Sequence, residues 1–428
     1  MGVAGDGVMN IKEGALVSNS NGRIGYQSSS TDPATVSGAG SWWNNLGRMV
    51  VGRSGDGVLI VEASGVVSNG LGFIGRYSSS TGAVTVTGTN SQWNNSSALY
   101  VGWYGDGALE LEEGSVVSNA SGFIGRYAES TGVVTVTGVD SQWHNSNSLY
   151  IGGGTSAAGG HGVLNIKDSA RVIVSNSTKL WSTGTVNLNG GILDAGTLDL
   201  TEGIFDMLDG RLHADSIIGD LDVQGGVVAP GNSSSMTSIS GNYVQRSNAA
   251  LEIELGGTIR GNGHEMLVVD GNLTLDGNLD VLVISGFEPQ AGDMFDILDF
   301  SPKNLSGAFS TVNLPALASG LTWDNSDLLT AGQLRVLEML LGGDANGDGV
   351  VDVADLGVLG ANFNQSNMVF ADRNFNDDCI VDVADLGILG ANWTASQSTG
   401  NASALVPEPA TLSFLVMGVL LVGHRRQA

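Results

Sequence analysis

Asp344, Asn346, Asp348, Asp352 and Asp355 place side-chain oxygens at positions 1, 3, 5, 9 and 12 of a twelve-residue stretch. Gly349 stands at position 6, and Val350 at position 7 can add its backbone carbonyl. This is the spacing of a loop that wraps Ca2+, a hard ion that takes six to eight oxygens and needs a sharp turn at position 6. Thirty residues on, the pattern returns as Asn374, Asn376, Asp378, Ile380, Asp382 and Asp385, with Ile380 at the carbonyl position. Two aligned loops argue against a plain acidic turn. They are not equal. Asn374 replaces the first Asp and Cys379 replaces the Gly, so the second loop has three carboxylates where the first has four. Tighter binding is expected in the first.

Other chemistry is sparse. The five histidines, His144, His161, His213, His264 and His424, have no metal or nucleophile spacing among them. Glu252 and Glu254 lie two apart in a strand-like run and so share a face. Paired acids are what glycoside hydrolysis needs, but an ordinary solvated strand face is the expected reading. No catalytic residue is assigned, and the chain does not read as an enzyme. Cys379 is the only cysteine, which excludes a disulfide framework. With 43 acidic against 17 basic residues the net charge is −26, so no nucleic-acid partner is expected.

The elements that would carry this chemistry are set by a repeat. Trp43, Trp93 and Trp143 are 50 residues apart, as are Asp6, Asp56 and Asp106, each in a Gly-Asp-Gly turn, and Asn19, Asn69 and Asn119, and Gly25, Gly75 and Gly125. GFIGRY occurs at 72–77 and again at 122–127. Each unit divides into two halves of 25, and each half holds three short apolar stretches parted by Gly, Asn and Ser. Alternation in pairs such as Leu59 and Val61 is a strand period. Such a half cannot bury its own apolar face, but stacked copies can, each about 4.8 Å above the last. The expected fold is mainly β: a right-handed parallel β-helix over 1–230, with two coils per 50-residue unit and tighter turns after an insertion at 152–160. The repeated Asn are expected to form a ladder, and the repeated Trp to line a flank or an edge of the core.

From 231 to 338 the strand-like runs are more widely spaced. APGNS at 229–233, GNY at 241–243, GNLTL at 271–275 and LTWD at 321–324 resemble the C-terminal part of autotransporter-associated β-strand-repeat proteins. The resemblance implies a β-rich end or capping segment on an extracellular protein.

The loops belong to a segment, 343–394, in which each is followed by a near-identical run, LGVLGAN at 356–362 and LGILGAN at 386–392. With Asp at position 12 of both, this resembles a type I dockerin, a small α module stabilised by Ca2+ that docks on a cohesin. The positions that in dockerins commonly carry Ser-Thr for that contact are here Val353-Ala354 and Val383-Ala384. A polar linker, 395–405, follows. Then come Val406, Pro407, Glu408 and Pro409, an apolar run of about 14 residues, and the basic pair Arg425 and Arg426. As a helix the run is about 21 Å long, short for a hydrocarbon core of about 30 Å. Residues 406–428 resemble the PEP-CTERM sorting signal. That implies a short membrane helix, transient inner-membrane anchoring, an exosortase-type processing protease, and delivery to the cell surface, outer membrane or extracellular matrix of a Gram-negative bacterium.

The N-terminus lacks a basic region and an apolar stretch, and it opens already in register with the repeat. An upstream segment with a signal peptide and a further coil is therefore expected. Together these features point to an exported structural or adhesion protein. The alternative is a carbohydrate-active or carbohydrate-binding protein that uses the solenoid face. An even, repeated face would favour the first and a groove with a unique acid cluster the second.

Overall fold

The computed structural model describes residues 6–231, 236–339, 341–366, 373–376 and 378–394. The whole of the linker 395–405 and of 406–428, with Val406, Pro407, Glu408, Pro409, Arg425 and Arg426, lies outside the described residues. The chain divides into two units, Met1–Glu338 and Met339–Ala428.

The first unit is a parallel β-solenoid. One coil consists of Thr81–Thr87, Gln92–Asn95 and Leu99–Val101, and the next of Asp106–Glu112, Val116–Asn119 and Gly122–Ile124. Each strand pairs in parallel with its counterpart one coil later, which creates three faces. Val84 lies on Leu109 and Val86 on Leu111, Trp93 on Val117, and Val101 on Ile124. Inward positions alternate with outward ones, so every coil adds apolar side chains to one continuous core.

The column Gly57, Gly82, Gly107 and Gly132 keeps a period of 25 residues. The step to Gly162 is 30, which accommodates the insertion, and the step to Gly184 is 22. Gly75 shows why the corners need glycine. Its φ is +68°, and a Cβ there would sit 2.1 Å from the Asp106 carbonyl oxygen.

Inside, the repeated polar residues form pairs. The Asn69 Nδ2 donates to Asn95 Oδ1 at 2.6 Å, and Trp93 Nε1 donates to Asn69 Oδ1 at 2.7 Å. Asn19, Asn45 and Trp43 repeat this geometry, as do Asn119, Asn145 and Trp143. The ladder is thus a set of Asn–Asn–Trp clusters, each bridging two coils. Trp93 and Trp143 are fully buried. An indole fits there because Gly72 lies across the core, where a Cβ would come within 3.2 Å of Trp93 Cζ2.

The expected boundary at 230 is not a break. On one face Leu221 pairs with Tyr243, Tyr243 with Leu273 and Leu273 with Leu305. On another Leu251 pairs with Leu279 and Leu279 with Val312. Coils that shrink to 16 residues (Met207 to Val223) grow to 32 (Leu273 to Leu305) because extra residues leave as loops without disturbing the register. Only then does the pairing turn antiparallel. Gln333–Glu338 lies between Met294–Asp296 and Leu321–Asp324, and Phe295, Leu334 and Val336 join the same core. Much of 231–338 thus belongs to the parallel ladder, and the small antiparallel sheet shares its core.

Among its described residues the second unit has two short helices, Val353–Ala361 and Val383–Ala391. Four glycines weaken them intrinsically. Asp352 and Asp382 cap their N-termini in capping boxes with Asp355 and Asp385. Val351, Leu359, Val381 and Leu389 form a small core of their own. Val351 exchanges hydrogen bonds with Thr394, and Val381 with Asn364 and Gln365, so each loop is tied to the end of the other helix. Among the described residues no helix is long and apolar enough to cross a membrane.

Candidate functional site

In the first loop the acids are already arranged by the backbone. Asp344 accepts from the amides of Gly347 and Gly349 at 2.7 and 2.8 Å. Asp355 is wholly buried and accepts from the amides of Ala345, Asn346 and Asp352 at 2.7 to 2.9 Å. Asn346 and Asp348 bond one another through Nδ2 and Oδ2 at 3.0 Å. Asp352 accepts from Ala354 as the helix cap. Two buried carboxylates share this loop, and no Lys, Arg or His occurs between 341 and 366. Buried charge needs a counter-charge, and a hard dication supplies one in chemistry that suits these oxygens. Among the described residues no three acidic side chains converge into a cage by themselves. Asn346 Oδ1 and the Val350 carbonyl would have to complete the set.

The second loop reproduces half of this. Asp385 is buried and accepts from the amides of Phe375 and Asp382, Asn376 bonds Asp378, Ile380 donates its amide to Asp378, and Asp382 caps its helix. Asn374 is buried in the place of Asp344. Cys379 sits at φ +69°, where the first loop has Gly349 at +79°. A side chain in that left-handed conformation costs about 1–2 kcal/mol.

A second cluster lies on the solenoid, in the short coils. Asp194 pairs with His213 in the strand register, 19 residues on. His213 Nδ1 lies 2.6 Å from Asp194 Oδ1, and Arg171 forms an ion pair with the other oxygen. Burial by itself would raise the Asp194 pKa, but the hydrogen bonds from His213 and Arg171 outweigh it and hold the group below the usual carboxylate range. Beside it, Arg211 donates Nη1 and Nη2 to Glu252 Oε1 at 2.8 and 2.6 Å.

Glu265 completes the cluster from a hairpin return. The chain doubles back after Leu255, which bridges His264. The Glu265 amide then donates to the Glu254 carbonyl, and its Oε2 accepts from the Glu254 amide at 3.0 Å. The residue is 2% exposed. Burial pushes its carboxyl from an ordinary 4.5 to about 8, with the negative charges of Glu254 and Glu252 adding to the shift. Arg211, His213, Ala229, Gly231, Glu252, Glu254 and Glu265 line one open cleft.

Thus Glu252 and Glu254 do share a face, but the face is not simply solvated. Sequence reasoning missed Asp194, Arg211, His213 and Glu265. The readable signal for Asp194 and His213 was the 19-residue coil length that aligns them, whereas Arg211 meets Glu252 at a spacing of 41 that the repeat does not show. Glu265 left none, because its hairpin has no counterpart in the repeat. No family model, curated protein or solved structure matches this chain.

Proposed function

We propose that the chain is an exported structural and adhesion protein of the cell surface or extracellular matrix. In this reading 343–394 is a dockerin-like module stabilised by Ca2+, and 406–428 is a PEP-CTERM signal recognised by an exosortase-type protease. The observation that supports it best is the uninterrupted parallel ladder from Met9 to Asn313, in which any one coil contacts chiefly its neighbours. Such a solenoid presents long columns of equivalent side chains and resists bending, which suits a scaffold. A cohesin-like partner would have to accept an apolar contact, since Val353 and Val383 are 72% and 70% exposed where dockerins carry hydroxyls. Fractionation of the native bacterium with an antibody to the solenoid tests the reading. Recovery at the surface or in the matrix supports it; recovery only in the cytoplasm refutes it.

One observation favours the alternative, carbohydrate-active reading. Glu265 retains its proton near neutral pH beside the carboxylates of Glu252 and Glu254. A protonated acid next to an ionised one is the pairing that cleaves glycosidic bonds: one protonates the leaving oxygen while the other activates water. Release of reducing ends from a polysaccharide by the full chain, lost in Glu265→Gln, would establish this reading over the first.

A further inference from the structure

Six basic residues occur in the first 150, and five of them, Arg23, Arg48, Arg53, Arg76 and Arg126, gather on one face and its corner. Backbone hydrogen bonds stack the corner residues Tyr26, Arg53, Arg76, Trp103 and Arg126 in five successive coils. The amide of Arg53 donates to Gly25, that of Arg76 to Gly52, that of Trp103 to Gly75 and that of Arg126 to Gly102, at 2.8 to 3.0 Å. Beneath them runs a second column in which Phe73, Tyr100, Phe123 and Tyr150 stack ring on ring at 5.0, 4.7 and 5.0 Å.

The guanidinium groups lie on these rings. Arg53 sits 4.4 Å from the Tyr26 centroid, Arg76 4.9 Å from Phe73 and Arg126 4.7 Å from Tyr127. A guanidinium resting on a ring can still offer N–H groups to a carboxylate, and of the Arg53 nitrogens Nη1 also donates to the Tyr26 carbonyl and to Ser54 Oγ, each at 3.3 Å. Among the described residues none of Arg48, Arg53, Arg76 and Arg126 has a carboxylate within ion-pair distance, although the protein as a whole carries −26. Burial and the positive charges of Arg48, Arg53 and Arg23 hold the Arg76 pKa below its ordinary value, opposed only by Tyr77. The arginines therefore feel one another.

We propose that this strip binds a linear acidic polysaccharide, with Arg53 and Arg76 holding carboxylates one coil apart, Arg126 holding another two coils further on, and the exposed edges of Tyr77 and Tyr104 meeting the sugar hydroxyls. Charge complementarity carries the choice of ligand. A row of like charges that lacks acidic partners in an acidic protein is matched by a polymer with its own periodic negative charge. Nucleic acid fits less well, because base readers need open ring faces and here those of Tyr100 and Phe123 are covered by their neighbours in the stack. The proposal rests on the adhesion reading and names what would be adhered to.

The test is equilibrium binding of the full chain to polygalacturonate, to dextran and to single-stranded DNA, at low and high salt. Retention on polygalacturonate but not dextran, weakened at least about tenfold by salt, is expected, because exposed charges are screened. The triple variant Arg53→Gln, Arg76→Gln, Arg126→Gln should lose at least about tenfold in affinity, and Arg246→Gln, which breaks a distant pair with Asp222, should lose nothing. Equal retention on dextran, tighter binding to DNA, or an unchanged triple variant would overturn the proposal. Should the triple variant fail to fold, polymer selectivity and salt dependence of the unaltered chain still decide. Failure here with the protein at the cell surface refutes the strip alone, whereas a cytoplasmic protein refutes the adhesion reading whatever it binds.

Discussion

The regular coils before the insertion and the shorter coils after it share one ladder and one core, yet differ in what they place outside. In the regular half a residue type once chosen recurs at each period, so Arg76 and Arg126, or Tyr77 and Tyr127, become a line. In the irregular half the period shifts from 30 to 22 to 19 to 16 residues, and side chains that never repeat meet across coils: Asp194 with His213, Arg211 with Glu252. Repetition makes extended surfaces, and its loss makes singular sites. The second unit shows the same contrast in small, between a loop that keeps Gly349 and a copy that has replaced it with Cys379.

The regular half depends on its buried clusters. Trp93→Ala empties a fully buried indole site and removes the donor to Asn69, so a loss of about 3–5 kcal/mol is expected in chemical denaturation. A loss below about 1 kcal/mol would mean that the coils tolerate a void and that their regularity does not rest on this packing.

The irregular half should reveal itself through pH. The folded-state pKa of Glu265 is raised, so the native state holds this proton more tightly than the unfolded chain. The stability this contributes is fully present below about pH 4.5 and is lost as pH rises through 8. Thermal melts of the full chain should therefore show a decline across that window that is reduced in Glu265→Gln. Identical pH profiles for the two would contradict the buried, protonated state.

The two loops should separate in calorimetry. Two unequal Ca2+ sites are expected, and Asp348→Ala should abolish the tighter one. Equal sites, or loss of the weaker one, would reverse the ranking of the loops.

The smallest effect tests the copy directly. Cys379→Gly relieves a left-handed side chain and should stabilise the second loop by about 1 kcal/mol, read as a shift of its Ca2+ titration towards that of the first. A weaker second site in this variant would mean that the Cys379 side chain itself supports the loop.

Much of this architecture was legible beforehand. Tandem 50-residue spacing, strand-period alternation and Gly corners were enough to read a parallel solenoid. The reading of Glu252 and Glu254 stopped short because the Glu252 partner Arg211 lies 41 residues away, a spacing that matches neither the 25-residue coil nor the 50-residue unit. The arginine strip was present in the duplicated GFIGRY, but its meaning needed Arg53 stacked one coil before the first copy and Trp103 stacked between the two.

By itself the sequence determined the period, and with it which side chains face the core, because alternation along a strand leaves no choice of side. It determined the spacing of the loop oxygens too, since they lie within twelve consecutive residues. Only the tertiary structure decided that the coils continue beyond 230, that each buried Trp is held by an Asn from the preceding coil, and that Glu265 reaches the cleft. Those outcomes depend on which residues of different coils come to the same height. Once coil length varies, that height is set by closure of the parallel ladder, not by distance along the chain.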